Sequence, residues 1–405
     1  MTHIYIALVS DQLLPNLIPA LLEKPERAVL VASKDMMANE KAQRLQKLLR
    51  AEDIEAEICG GAPSTGFMNI LDYALNLADK IKQEKPPPVI TLNATGGTKL
   101  MSMAFVEAFR EMANKIIYTD TEHNVIEILV PSDQPSEPMP NVLDVHTYLA
   151  AQGMRVRCAA SDSEAWRERA DERKPLTNYL ATQAAELDVF FGVLNGIIHG
   201  VPGRKGALSD DGKYLDEPTQ NFTSEPVGGW KDAMRQIDKA GLVEWKKGSE
   251  FRLKDTDAAR YLGGFWLEEY AWHIAKECPL QDVRCGVEIT WEGGAKNTVQ
   301  RNEFDLLAVH DNRLLVIECK TLRLGGGQSG KAQDMVYKLD SLGRNAGGTF
   351  GASLLLSVRA TTAHVRERCK NQGIALCEGV HLKRLRQNLL DWKAGKIIAF
   401  YPNQC

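Results

Sequence analysis

No stretch of the chain reaches the roughly 18 consecutive apolar residues that a membrane-spanning helix needs. The N-terminus, MTHIYIALVSDQ, has no basic segment leading into a long apolar run. Neither a membrane span nor a signal peptide is expected. The eight cysteines are scattered, with no CxxC and no paired Cys/His spacing. That argues against a disulfide frame or a zinc site, and for reduced thiols in a cytoplasmic protein. Positive charge is not in surplus: 49 Lys and Arg face 53 Asp and Glu, a formal net of −4. Contact with nucleic acid must then rest on local patches or on bound metal. What remains is ordinary globular composition, 44% apolar and 25% charged, over 405 residues, too long for one typical domain.

The first 150 residues alternate short apolar runs with helical patterns. Strands are expected at Ile4–Val9, Arg27–Ala32, Ala56–Cys59, Pro88–Ala94, Ile116–Thr119 and Val125–Val130. Helices are expected from about Gln12, over Asp35–Arg50, Gly66–Lys82 and Thr98–Ala113. Alternating βα units imply a mostly parallel, Rossmann-like sheet, which binds ligands at the carboxyl ends of its strands. Three of those ends are polar or small: Ser10-Asp11-Gln12, Ala62 to Gly66 with Thr65, and Asn93-Ala94-Thr95-Gly96-Gly97-Thr98-Lys99. The last is the sharpest. Two glycines permit a tight turn, a helix follows with free amides and a positive dipole end, and Lys99 adds a cation. It is an anion site, or else a plain βα turn. It matches neither GxGxxG nor GxxxxGK[ST].

A second signal lies far downstream. Residues 302–321 read NEFDLLAVHDNRLLVIECKT: two apolar runs around His310-Asp311-Asn312-Arg313, which is a hairpin pattern. With Asp311 and Asn312 as the turn, His310 faces Arg313 and Asp305 falls opposite Glu318. Glu318 and Lys320 share a face, and Cys319 points the other way. Two carboxylates about 5 Å apart repel by roughly 3 kcal/mol at an effective dielectric near 20. A proton, a salt bridge or a divalent cation must offset that.

Between the two, Pro131–Pro140 reads as a linker or excursion, and Asn141–Met154 as a returning strand. Asp162–Lys174 is a mixed-charge, solvated connecting helix. Glu186–Ile198 is an apolar helix. Lys231–Gly241 followed by the hairpin Leu242–Leu253 resembles a winged helix, read as a spacer because no basic recognition helix accompanies it. In GGFWLEEYAW, Glu268 falls on an apolar helix face with Gly264, Phe265, Trp272 and Ala275. Glu269 falls with Trp266, His273 and Lys276, a more solvated setting.

Two family resemblances follow from these motifs. The SDQ first loop and the N-x-TGGTK loop resemble the CARF domain of CRISPR-associated proteins, over roughly Met1 to Ser132. The nearest group joins CARF to a restriction-type nuclease. That resemblance implies a homodimer holding a cyclic oligoadenylate across its twofold axis, foremost cyclic tetra-adenylate. Thr95, Gly96, Gly97, Thr98 and Lys99, with Ser10 and Gln12, are its implied phosphate contacts. Asp11, Thr65 and Asn93 are further ligand candidates, and Met36 or Met37 a possible adenine contact. From Gly263 to Glu378 the order α-β-β-β-α-β-α-β, with Asp305 on the second strand and Glu318-Cys319-Lys320 ending the third, resembles the PD-(D/E)xK restriction-endonuclease core. Phe304 stands where many members carry Pro. The resemblance implies Asp305, Glu318, Glu268 and the Cys319 carbonyl as ligands of Mg²⁺ or Mn²⁺, with Lys320 catalytic.

Together these imply an α/β chain. Residues 1–150 are a CARF-like sensor, 151–262 a linker helix and winged-helix-like spacer, and 263–405 a PD-(D/E)xK domain. The expected activity is metal-dependent hydrolysis of DNA or RNA under messenger control. The alternative is a ligand-controlled nucleic-acid-binding regulator on a non-catalytic nuclease fold.

Overall fold

The computed structural model describes residues 1–292, 301–321 and 329–398, with backbone alone at 301 and 329–335. The N-terminal strands are β1 (His3–Leu8), β2 (Arg27–Ser33), β3 (Glu55–Ala62), β4 (Val89–Asn93), β5 (Lys115–Asp120), β6 (Val125–Val130) and β7 (Glu137–Pro138). They form one sheet in the order β3-β2-β1-β4-β5-β6-β7. The first five are parallel, and β6 and β7 antiparallel. Its helices are α1 (Leu14–Glu23), α2 (Lys34–Ala38), α3 (Lys41–Ala51), α4 (Phe67–Lys82) and α5 (Lys99–Phe109). Period-two alternation along β1 decides which face each helix covers. Tyr5 and Ala7 pack with α1 and α3, whereas Ile4, Ile6 and Leu8 pack with α4 and α5. The single helix expected over Asp35–Arg50 is two, because Glu40 adopts a left-handed φ of 55° and breaks it.

Residues 141–154 correct the strand expected there. They form α6 (Val145–Ala151), nucleated by Asp144, whose carboxylate accepts the Thr147 amide at 2.7 Å. The chain then enters β8 (Met154–Ala159), α7 (Glu164–Thr182), α8 (Asp188–His199), β9 (Thr219–Asn221), α9 (Gly229–Lys239), β10 (Val243–Glu244) and β11 (Glu250–Leu253). Strands β10 and β11 follow α9 as the expected hairpin, and β9, which precedes that helix, adds a third strand in the order β10-β11-β9. The segment is not only a spacer, since β8 pairs with the C-terminal sheet.

That sheet follows α10 (Thr256–Arg260), a π turn at Tyr261–Phe265 and α11 (Trp266–Glu277). The kink is set by Gly264, whose φ of 149° is one that side chains avoid. Then come β12 (Asp282–Trp291), β13 (Arg301–His310), β14 (Arg313–Lys320), α12 (Ser329–Gly347), β15 (Gly351–Ser357), α13 (Ala363–Asn371), β16 (Ala375–Glu378) and α14 (Leu385–Lys393). The strands lie in the order β16-β15-β14-β13-β12-β8. Both Asp311 and Asn312 have positive φ, 49° and 56°, as a two-residue hairpin turn requires.

Asn312 also ties the two halves together. It is fully buried. Its Oδ1 accepts the amides of Val142 and Leu143 at 3.0 and 3.3 Å. Its Nδ2 donates to the carbonyls of Pro140 and Met139 at 2.8 and 3.4 Å. At the other end of β12, Arg44 and Lys47 of α3 pair with Glu292 at 3.3 and 3.0 Å.

Candidate functional site

The hairpin ladder runs from His310↔Arg313 to Leu306↔Ile317, which leaves Asp305 and Glu318 next in register at its open end. There three oxygens converge on one ammonium. Lys320 Nζ lies 2.6 Å from Glu318 Oε1, 3.5 Å from Asp305 Oδ2 and 3.0 Å from the Cys319 carbonyl. Asp305 Oδ2 also accepts the Cys319 amide at 2.7 Å. Burial would lower the Lys320 pKa, but Asp305 and Glu318 outweigh it and hold the proton on the amine. Burial, then Glu318, pushes Asp305 up to about 6.

Glu268, at the start of α11, joins this cluster. Its carboxyl is held well above the usual carboxylate range by burial first, then by Asp305 and Glu303. Glu303 is a member that the sequence reading missed. It stands two residues before Asp305 on β13, hence on the same face, and opposite Glu288 of β12. Burial and Glu288 raise its pKa, and Lys338 of α12 opposes them. The period-two rule that paired Glu318 with Lys320 was sufficient to find it. The Glu269 assignment is corrected. That side chain is buried rather than solvated, because α7 lies over it and Arg173 of α7 binds it at 2.5 Å. Among the described residues no three Asp, Glu, His or Cys groups already stand in metal-ligating geometry. The cluster is instead four carboxylates around one lysine, a donor set of hard oxygens with a deficit of positive charge, which suits Mg²⁺ or Mn²⁺. The side chain of Gln333, another residue near this site in sequence, lies outside the described residues.

The N-terminal loops meet where β1 and β4 diverge, the topological switch point of the sheet. Gly96 is pressed against the end of β1: a Cβ there would lie 1.7 Å from the Leu8 carbonyl oxygen. Thr98 caps α5 by accepting the Met101 amide at 3.2 Å, and its hydroxyl donates to the Ser64 carbonyl at 3.3 Å, drawing the 62–66 loop alongside. Thr98, Lys99, Thr65 and Asp11 are exposed, and Ser10 and Thr95 partly so. Two candidates point elsewhere. Asn93 is fully buried. It donates to Tyr5 Oη and the Pro15 carbonyl and accepts from Thr95, so it braces the loop from below. Gln12 packs against Gly348 of the C-terminal domain, its Oε1 buried without a hydrogen bond.

Residues 4–148 match the family model of the Card1 CARF domain. Residues 255–396 match that of the Card1-like endonuclease domain. The chain is a CARF-domain protein with a Card1-like endonuclease domain. Over nearly its whole length it is similar to Can2 from Sulfobacillus thermosulfidooxidans, solved in complex with cyclic tetra-adenylate. That likeness is 25% identity over 97% of each chain, with a TM-score of 0.73. Protein VC1899 from Vibrio cholerae shares the fold at 20% identity, over 98% of this chain and 99% of that one, with a TM-score of 0.79. A type III CRISPR defence DNA nuclease activated by cyclic oligoadenylate shares it at 14% identity and a TM-score of 0.53. That match covers 90% of this chain and 46% of the other. No curated protein sequence matches.

All three polar strand ends fall inside the CARF range, and Glu268, Glu303, Asp305, Glu318 and Lys320 inside the endonuclease range. Helix α8 belongs to neither, yet it contacts the chain beside the candidate cluster. Asn195 Nδ2 donates to Thr321 Oγ1 at 3.4 Å, directly after Lys320. His199 Nε2 lies 3.0 Å from the Gly263 carbonyl, just ahead of α11. Asp188 accepts from Arg359 Nε at 2.6 Å, beyond the end of β15. An apolar helix with no charged motif gives no such signal in sequence.

Proposed function

We propose that this chain is a metal-dependent endonuclease switched on by a cyclic oligoadenylate, cyclic tetra-adenylate foremost. The observation that carries the reading is the convergence of Asp305, Glu318 and the Cys319 carbonyl on a single cation position, that of Lys320 Nζ, within a Card1-like endonuclease domain. Asp305, Glu318, the Cys319 carbonyl and Glu268 would hold Mg²⁺ or Mn²⁺. When bound, the metal supplies an acidified water and charge neutralisation at the phosphate. Lys320, released from its carboxylate partners, orients the attacking water or neutralises charge on the phosphate oxygens. Glu303 adds negative charge that favours the cation. DNA, RNA or both are substrates of this chemistry.

The sensor reading rests on the exposed amides, hydroxyls and ammonium of the 95–99 loop at the α5 N-terminus. Cyclic tetra-adenylate in the Can2 complex supports the ring size. Phe67, Met68, Leu100 and Met103 are exposed on the first turns of α4 and α5, beside this loop. Such an apolar rim suits a homodimer with the ligand across its axis.

The test incubates plasmid, single-stranded DNA and RNA with Mn²⁺, with and without cyclic tetra-adenylate. Cleavage is expected only with both metal and messenger, and is lost in Glu318→Ala and in Lys320→Ala. Full cleavage by either variant overturns the active-site assignment. Nucleic acid retarded in a gel but left intact favours the non-catalytic regulator.

A further inference from the structure

We propose that the cleft along α8 is a subsite for the nucleic-acid strand, leading from the candidate active site; it rests on the nuclease reading above. The cleft has a volume of about 420 Å³ and is lined by Val189, Gly192 and Ile197 of α8 together with Val201, Arg204 and Arg359. Val189 and Val201 are 59% and 50% exposed, unusual for apolar side chains beside a cavity. Arg359 is seated with care. Asp188 binds its Nε at 2.6 Å and its Nη2 at 3.4 Å. Gly192 makes the room: a Cβ there would stand 2.4 Å from Arg359 Nη1. Arg204 also lines the cleft and is exposed, and its guanidinium donates to the Asn221 carbonyl at 3.3 Å.

The position of the cleft gives it a purpose. Strands β14 and β15 are parallel neighbours, with Lys320 in register with Ser357. The Val358 amide donates to the Lys320 carbonyl at 2.9 Å, and Arg359 is the next residue. Across the same helix, Asn195 holds Thr321. A strand whose scissile phosphate lies at Lys320 therefore carries its neighbouring phosphates past Arg359 and into the cleft. Guanidinium groups suit phosphate oxygens, and an apolar floor suits sugars and base faces. Two arginines on an apolar floor beside a phosphodiester-cutting cluster fit that occupant better than an apolar peptide. The cleft also accounts for α8, which neither domain family includes.

The experiment uses the full chain silenced by Glu318→Ala, with fluorescently labelled single-stranded DNA and RNA oligonucleotides followed by anisotropy over a salt series. Arg204→Glu is expected to weaken binding roughly tenfold and to lower the salt slope by about 0.7–1, the loss of one phosphate contact. Val201→Glu also weakens binding, whereas Arg235→Glu, exposed on α9 away from the cleft, does not. In the otherwise unmodified enzyme, Arg204→Glu raises KM for the oligonucleotide and leaves kcat unchanged. All the charge-introducing sites are exposed, and matching melting curves establish that each variant is folded. Unchanged affinity in Arg204→Glu and Val201→Glu, while the unmodified chain cuts, overturns the cleft. Weakening by Arg235→Glu equal to that by Arg204→Glu also overturns it, since the effect is then general charge. If the unmodified chain cuts neither nucleic acid with metal and messenger, the nuclease reading falls and the cleft with it.

Discussion

Asn312 is one of the residues that join the two domains, and its removal has a calculable cost. Asn312→Ala deletes one acceptor that serves two backbone amides and one donor that serves two carbonyls. The two longer bonds, to Leu143 and Met139, are the buried ones, and those partners are left without replacement. Alanine must also hold the φ of 56° that asparagine tolerates. One or two orphaned backbone groups at about 1–3 kcal/mol each, plus about 1 kcal/mol for the left-handed backbone, give about 3–5 kcal/mol. Asn312→Gly loses the same bonds but not the backbone preference, and should cost about 1 kcal/mol less. Tryptophan fluorescence is the suitable probe, because all seven Trp lie beyond residue 160, so the signal reports the C-terminal part of the chain. Urea unfolding should move to lower concentration in the order Ala, Gly, wild type. A cost below about 1 kcal/mol for Asn312→Ala would refute the claim that these bonds secure the joint. Gly as damaging as Ala would refute the backbone share.

Three further outcomes follow from the geometry. Lys99→Ala, an exposed cation at the α5 N-terminus, should raise the messenger concentration needed for half-maximal cleavage and leave the rate at saturating messenger intact; an unchanged requirement counts against the sensor loop. Asp305 has its carboxyl raised to about 6 in the fold, above the usual value near 3.9, so its ionisation opposes folding. Metal-free stability should then fall as pH rises from about 4 to about 6, while Mn²⁺, which needs the carboxylate, should bind more tightly over the same range. Calorimetric titration on either side of that range reads the second effect, and equal affinities would contradict it. Arg173→Ala strands the buried Glu269 and should cost about 3–5 kcal/mol. Burial already lifts Glu269 to about 7, so below that pH it can take a proton and soften the loss. The urea midpoint should drop more at alkaline than at acid pH.

Much of the fold could be read from β1, β4 and the hairpin, because short apolar runs between turn signals are what a sheet covered on both faces requires. Ile4, Ile6 and Leu8 alternate with Tyr5 and Ala7, and each set found a helix layer. Asp311-Asn312 is a pair that tolerates positive φ, so register and turn followed together. The structure departs from expectation where one residue set the local backbone, by a side-chain cap at Asp144 and by a left-handed φ at Glu40. Asp144 made a helix of an apolar stretch that reads equally well as a strand. Glu40 split a continuous helical pattern that no proline or glycine interrupts.

At the candidate site the legible residues were those whose partners are close in sequence. Asp305, Glu318 and Lys320 belong to one hairpin, so strand geometry alone could bring them together. Glu268 and Glu269 could not be ranked that way. Their helix offers both an apolar environment, and the burial of Glu269 depends on α7, almost 100 residues earlier. Dense in charge, α7 reads in sequence as a solvated helix. One of those charges, Arg173, is the partner that allows Glu269 to be buried. A charged residue on an apolar helix face is thus evidence of a distant partner before it is evidence of catalysis. After burial, the groups that raise the Glu268 carboxyl are Asp305 and Glu303, members of the same cluster, and no arginine compensates them as Arg173 does Glu269.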